Sequence, residues 1–203
     1  MILTRPGKAT SEEMLEKNAI KELLEFERFA RDNDLWEEMK KCYSKESVVD
    51  ISWYTGSGEG FIDASAALGM RGPHKIYNTQ IWLNGNKAVA LMMATIQLRY
   101  EIDGIEVELQ SDSKLVFQVE KQNGLWMIAA FTSIYEQDRM IPVYPNNQLI
   151  IPKDQLGDFR SSYACMSYMN YKNGRPINND LPGIDRPDLV EKLYQDLDKW
   201  LSR

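Results

Sequence analysis

The first forty residues place apolar side chains at the spacing of an α-helix. Thr10 and Ser11 precede two glutamates, and a small hydroxyl residue followed by acids is typical of a helix start. The pattern predicts one long helix from there to about Asn33, with charged residues on its outer face. A second, shorter helix is predicted over 35–43, with Asp34 as its cap. The apolar face of the long helix contains Ile20, Leu23, Leu24 and Ala30.

From residue 47 the pattern changes to the alternation of β-strands. A strand is predicted over 47–54 and a short helix over 61–68. Longer strands are predicted over 74–83, 87–101, 105–121 and 125–136. The turns between them contain Asn-Gly or Asp-Gly, which tolerate the positive φ of tight hairpins. In the third of these strands the apolar side chains share one face, which indicates an antiparallel sheet covering a core. They are Ile105, Val107, Leu109, Leu115, Phe117 and Val119.

The chain after residue 140 is rich in proline and asparagine and predicts two further helices. One spans 154–170. The other is capped by Asp185, has Pro187 in its first turn and carries an apolar stripe. That stripe must pack either on this domain or on a second subunit. It consists of Leu189, Val190, Leu193, Leu197, Trp200 and Leu201.

Composition narrows the class of protein. The apolar fraction is 43%, the charged fraction is 27% and the net charge is −6, as in a soluble globular protein without a basic stripe for nucleic acid. We expect no membrane span and no signal peptide, because no apolar run is long enough. Cys42 and Cys165 are expected to be reduced thiols in the cytoplasm. One histidine and no cysteine pair argue against a zinc or iron site, and we expect no cofactor.

His74 is the only histidine, and it opens the first long strand. Histidine is the side chain most often used for proton transfer near neutral pH, so any histidine mechanism must use this residue. The alternative is that His74 merely starts the strand and hydrogen-bonds a neighbouring carbonyl group. The residue type alone does not decide between these two interpretations.

The order of four stretches resembles the SnoaL-like branch of the NTF2-like superfamily, which includes scytalone dehydratase. They are DNDLW at 32–36, SVVDI at 47–51, the His74 strand, and GLW at 124–126. The resemblance implies an α+β cone, with a curved, mostly antiparallel sheet packed against the N-terminal helices. We assign residues 10–140 to this domain. Residues 141–203 are expected to form a C-terminal helical extension that packs on the same domain and covers the mouth of the cone.

The resemblance also implies a catalytic pair, in which Asp32 orients His74. We expect burial and this carboxylate to shift the histidine pKa in opposite directions, with the carboxylate prevailing. In the alternative interpretation, Asp32 is half of an exposed ion pair with Arg28. The family's tyrosine before the aspartate is replaced by Arg31, and its tyrosine in the first strand by Ile51. Further candidates for the pocket are Tyr54, Tyr77, Tyr135, Trp53 and Phe61.

Two functions remain open at this point. The first is a cofactor-independent lyase or isomerase that uses histidine acid–base catalysis on a small, apolar, oxygenated ring compound. The second is a non-catalytic module of the same fold, for small-ligand binding or oligomerisation. A weaker option is a subunit of a larger oxygenase. In each case we expect a homodimer or higher homo-oligomer, because an open sheet and the last helix both present apolar surface.

Overall fold

A computed structural model describes residues 2–69 and 72–203 and contains six helices and one six-stranded sheet. The helices are α1 (Ser11–Asp32), α2 (Trp36–Lys40), α3 (Gly58–Ala67), α4 (Lys153–Gly157), α5 (Ala164–Lys172) and α6 (Pro187–Leu201). The strands are β1 (Tyr43–Ile51), β2 (Tyr54–Ser57), β3 (His74–Asn84), β4 (Lys87–Ile102), β5 (Ile105–Gln122) and β6 (Leu125–Pro142).

The sheet has the order β2-β1-β6-β5-β4-β3. Only β1 and β6 run parallel, and every other pair of neighbouring strands is antiparallel. The curved, mostly antiparallel sheet and the α+β class are therefore confirmed. The hairpin turns have positive φ at Gly85, Gly104 and Gly124, as their sequences predicted. Strand β1 begins and ends earlier than the predicted 47–54, and Tyr54 opens the separate strand β2, which was not predicted. Strand β6 ends at Pro142 and is longer than predicted.

Helix α1 is fixed at its start by a capping box between Thr10 and Glu13. Its inner face is not uniformly apolar, because Glu27, Arg28 and Arg31 are buried alongside Ile20 and Leu24. The assignment of all charged residues to the outer face was therefore wrong.

The start of α2 also differs from the prediction. Asp34 takes a positive φ of 60° in the tight connection between the two helices, and Leu35 occupies the N-cap position without a side-chain bond. Asp34 is therefore a turn residue and not a helix cap.

The two faces of the sheet are covered by different parts of the chain. Helices α1, α2 and α3 cover one end of the inner face, where alternate residues of β5, from Leu115 to Val119, point into the main core. The alternation predicted for β5 is confirmed. Helix α5 covers the other end of the same face, where Tyr163 packs against Tyr135 and Leu109.

Helix α6 packs on the outer face of the sheet. Its Leu197 and Leu201 contact Val89, Val116 and Ile134, so its apolar stripe is buried within this chain.

The segment 154–170 is not one helix, because residues 158–163 turn and let Arg160 reach the carbonyl oxygen of Leu181 and the carboxylate of Asp185. Asp185 also accepts a hydrogen bond from Ser162 at 2.7 Å, so it joins two segments and does not cap α6. Among the described residues, no helix is long and apolar enough to cross a membrane.

We propose that residues 141–203 are not an independent domain. A chain ending at residue 144 would lose α5, α6 and the segments around them, and with these seven buried apolar side chains: Tyr163, Met166, Tyr168, Met169, Leu181, Leu197 and Leu201. Loss of one large buried side chain typically costs about 2–5 kcal/mol, so we expect this chain to fold poorly or to melt far lower. A chain ending at residue 186 lacks only α6 and should be intermediate. Equal melting temperatures for all three chains would contradict the proposal.

Candidate active site

A small cavity lies between the inner face of the sheet, α1, α3 and α5, with a volume of about 60 Å³. This is room for a few water molecules or a very small organic group. Its walls are largely apolar, and Met166 of α5 forms part of its lining. The lining residues that matter below are Arg28, Arg31, Trp53, His74, Tyr135 and Met166.

Asp32 and His74 are held together by two hydrogen bonds at one wall of this cavity. Asp32 is the last residue of α1 and His74 is the first of β3. One carboxylate oxygen accepts the His74 backbone N–H at 2.7 Å, and the other lies 2.7 Å from the ring Nδ1. A carboxylate at Nδ1 requires the proton there, so Nε2 carries the lone pair. The alternative of an exposed Arg28–Asp32 pair is not what the structure contains.

Arg28 instead pairs with its neighbour Glu27 inside the core. Both side chains are almost fully buried, and the Arg28 guanidinium donates twice to the Glu27 carboxylate. The Tyr43 hydroxyl donates to the same carboxylate at 2.9 Å. Arg28 also reaches His74, with 3.4 Å between its Nη1 and the ring Nε2. Although burial alone would lower the pKa of Arg28, Glu27 raises it, so the guanidinium stays charged.

Arg31 lies one helical turn beyond Arg28 and also lines the cavity. Only 8% of the residue is exposed. Within the described part of the chain, its side chain forms no hydrogen bond or ion pair. Burial and the positive charge of Arg28 lower its pKa to about 10, so it remains a cation at neutral pH.

The His74 ring is neutral over the physiological range. Its side chain is only 6% exposed, and burial lowers its pKa to about 4, assisted by the charges of Arg28 and Arg31. Asp32 acts in the opposite direction but does not prevail. The sequence-based expectation was therefore wrong, because burial of the ring outweighs the carboxylate and because the two guanidinium charges, which it did not consider, add to the effect of burial. Although burial raises the pKa of Asp32, the hydrogen bonds from His74 outweigh it and hold that pKa below its usual value.

Tyr135 supplies a hydroxyl group at the cavity. It accepts a hydrogen bond from the Ser52 backbone N–H at 2.9 Å, and its ring lies 4.5 Å from that of Tyr163, measured between centroids. Burial raises the pKa of Tyr135, so the phenol keeps its proton. A protonated phenol of this kind can donate to a substrate oxygen.

The remaining pocket candidates divide into two groups. Trp53 and Phe61 line the cavity, and their rings lie 5.7 Å apart. Tyr54 and Tyr77 do not line it. Tyr54 packs on the outer side of Phe61 and donates its hydroxyl to the Ser57 carbonyl oxygen at 3.0 Å. Tyr77 is the extra residue of a β-bulge in β3 and is 66% exposed.

In residues 2–69 and 72–203, no three His, Cys, Asp or Glu side chains come together in a way that could hold a metal ion.

The sequence matches the family described as "SnoaL-like domain" over residues 12–132. It is 30% identical over 204 residues to pea pathogenicity protein 2 of Fusarium vanettenii, covering 93% of this chain and 86% of that protein. An uncharacterised protein of Emericella nidulans is 28% identical over 210 residues, covering 93% and 87% of the two chains.

Two solved structures share the fold at low sequence identity. A candidate scytalone dehydratase from Novosphingobium aromaticivorans has a TM-score of 0.55 at 16% identity, covering 71% of this chain and all of that one. A hexachlorocyclohexane dehydrochlorinase from Novosphingobium barchaimii has a TM-score of 0.53 at 12% identity, covering 68% and 97%. At these identities the likeness establishes the fold alone.

The pKa of His74 gives a testable dependence of stability on pH. The unfolded histidine titrates near 6.5 and the folded one near 4, so the unfolded state binds more protons between these values. Stability must therefore fall as pH falls through this window. For His74 this amounts to about 2 kcal/mol between pH 7.5 and pH 5.

Urea unfolding at the two pH values measures this change. The variant His74→Gln should lack this part of it, since glutamine does not titrate. In the intact protein, NMR of the single imidazole should show the Nδ1–H tautomer at pH 7, and Asp32→Asn should lower its pKa further. An imidazole that titrates at 6.5 or above would show that the carboxylate outweighs burial, and would contradict the predicted dependence of stability on pH.

Proposed function

The chain belongs to the SnoaL-like domain family, and within this family we propose that it is a cofactor-independent lyase or isomerase. The observation that carries the proposal is the Asp32–His74 pair at the wall of a largely apolar cavity. Asp32 fixes the tautomer, so the lone pair lies on Nε2, where Arg28 Nη1 approaches it to 3.4 Å. We propose that the substrate displaces this long contact and that Nε2 then acts as a general base. The proposed substrate is a small, mostly apolar compound with an oxygen-bearing ring.

The proposed reaction begins with a carbon-bound proton next to a carbonyl group. His74 Nε2 takes this proton, and the electron pair of the broken C–H bond moves onto the carbonyl oxygen to form an enolate. Tyr135 donates a hydrogen bond to that oxygen. In an elimination, the enolate re-forms its carbonyl and expels a hydroxyl group, which leaves as water with the proton from His74. In an isomerisation, His74 returns the proton to a different carbon.

The size of the cavity limits how a ring compound can enter. A volume of about 60 Å³ is smaller than a six-membered ring with substituents, and Met166 of α5 lies in the wall. We propose that substrate entry displaces the side chain of Met166, a residue whose flexibility suits this role. The Met166 sulfur accepts a hydrogen bond from the Ser52 hydroxyl at 3.2 Å, which must break during this movement.

A non-catalytic binding module is the second candidate. The low pKa of His74 favours it, because a base with a pKa of about 4 is weak towards carbon acids. The two functions differ in whether a bound compound exchanges its protons with solvent.

We propose that the chain acts in the cytoplasm as a homo-oligomer. Both cysteines are free, and burial raises the pKa of each thiol to about 12, which suits a reducing compartment. Since α6 is used within the chain, the interface would involve the exposed apolar side chains of α1, such as Leu15 and Phe29. Light scattering at micromolar concentration should give a multiple of 23.5 kDa, and a monomer would contradict this proposal.

Proton exchange with D₂O tests the enzymatic function without knowledge of the natural product. A panel of small cyclic ketones, with and without a β-hydroxyl group and with and without a carboxyl group, is incubated with the protein in D₂O and followed by NMR. We expect deuterium to enter next to the carbonyl of at least one compound. His74→Gln and Asp32→Asn should each reduce the rate by roughly a hundred- to ten-thousandfold, since proton transfer contributes factors of that size.

The double variant should be little slower than the slower single one, because the two residues act as a unit. Tyr77→Phe is the matched control, since that hydroxyl lies outside the cavity and exchange should be unchanged. Exchange that persists in His74→Gln would eliminate the proposed base. Exchange with no compound of the panel would favour the binding module.

A further inference from the structure

Arg31 is a buried cation with no acceptor in the protein. A guanidinium group carries five N–H donors, and leaving them without an acceptor inside a protein is costly. Arg28 meets the carboxylate of Glu27, and Arg160 meets that of Asp185. Arg31 is somewhat more exposed than Arg28, at 8% against 2%, yet within residues 2–69 and 72–203 its side chain has no hydrogen-bonding partner. It lines the cavity that holds His74.

The position of Arg31 cannot be explained by packing alone. It precedes Asp32 and lies one turn after Arg28, so α1 delivers both guanidinium groups and the carboxylate of the pair to the same place. The two bonds from His74 occupy both oxygens of Asp32, one each. The Glu27 carboxylate is occupied by Arg28 and Tyr43. Arg31 is therefore left for an acceptor that enters the cavity.

We propose that Arg31 binds a carboxylate group of the substrate, so that the site takes small organic acids and not neutral compounds. This inference rests on the proposed function in one respect, since the bound acid is a substrate only if the chain is an enzyme. The proposed binding of an acid does not itself require catalysis. A guanidinium group matches a carboxylate with two parallel hydrogen bonds, and burial strengthens them. Arg31 thus determines specificity and orients the acid against His74.

A carboxylate bound to Arg31 would change the balance of charge around His74. The charged groups of α1 near the imidazole are Glu27, Arg28, Arg31 and Asp32, and their charges sum to zero. Arg28 and Arg31 both disfavour a proton on His74. A carboxylate on Arg31 offsets one of these positive charges. It therefore raises the pKa of His74 and makes it a stronger base when the substrate is present. This lessens the weakness of His74 as a base, although burial of the ring remains the largest cause of its low pKa.

The test measures the binding of acids and of their neutral amides to the full chain. Acetate and benzoate are compared with acetamide and benzamide, and the imidazole resonances of the single histidine report occupancy at pH 7. We expect a saturable shift with at least one acid, and at least tenfold weaker binding of its amide. The His74 pKa should rise at saturation. Arg31→Gln should weaken acid binding at least tenfold, and Arg31→Lys should recover part of it.

Arg99→Gln is the matched control, because that side chain is 62% exposed and pairs with Glu108 at the surface. It should bind the acids as the unchanged protein does. Arg31→Gln should also keep or raise the melting temperature, since it removes an unpaired buried charge, whereas a structural arginine would lower it. A lower melting temperature would therefore count against the proposal.

Three further outcomes would overturn the inference: no saturable shift with either acid, equal binding of an acid and its amide, or unchanged binding in Arg31→Gln. The result for the proposed function is separate. If proton exchange in neutral ketones depends on His74 but not on Arg31, the proposed enzymatic function is supported and the proposed binding of a carboxylate by Arg31 is refuted. If acids bind through Arg31 but no compound exchanges its protons, the proposed carboxylate site is supported and the proposed enzymatic function is not.

Discussion

The carboxylate of Asp32 is the point on which the site depends, because it joins the end of α1 to the start of β3. Its two oxygens accept the backbone N–H and the ring Nδ1 of the same histidine, each at 2.7 Å. A single residue therefore sets the helix end against the strand, the orientation of the imidazole and the tautomer. Orientation and chemistry cannot be changed independently here. A substitution at position 32 alters the contact between helix and sheet as well as the base.

Helix α1 carries four ionised side chains into a region with little access to water. Such groups are costly to bury and remain charged only when they compensate one another. Glu27 and Arg28 do so directly, and Asp32 is satisfied by His74. Arg31 is the exception. In natural proteins, buried groups without a partner occur at functional sites, where they serve binding or catalysis and the rest of the fold supplies the stability. Here it comes from the apolar clusters on both faces of the sheet.

Periodicity in the sequence was enough for the four long strands, the hairpin turns and the long first helix, since each depends on local spacing. It did not separate β1 from β2. The meeting of Asp32 with His74, 42 residues later, came from the resemblance to a family and not from spacing. Glu27, Arg28 and Arg31 were missed as buried residues, although they follow Ile20 and Leu24 at helical intervals on the same face. That spacing was the available signal. The division of 154–170 into two helices had no local signal, because it depends on Arg160 reaching Leu181 and Asp185, about twenty residues away.

The C-terminal extension links access to the site with the stability of the fold. Asp138 of β6 accepts the backbone N–H of Met166 at 2.7 Å, which fixes the start of α5 beside the cavity. Burial raises the pKa of that carboxyl group, and this bond counters the effect by favouring the charged form. The backbone of Met166 is held there, while its side chain is held by the hydrogen bond from Ser52 at 3.2 Å, which must break before the side chain moves. In the proposed entry of the ligand, the rotamer of Met166 changes and α5 stays on the sheet. Since Tyr163 and Met169 of the same segment are buried, movement of the whole helix would cost far more than movement of one thioether.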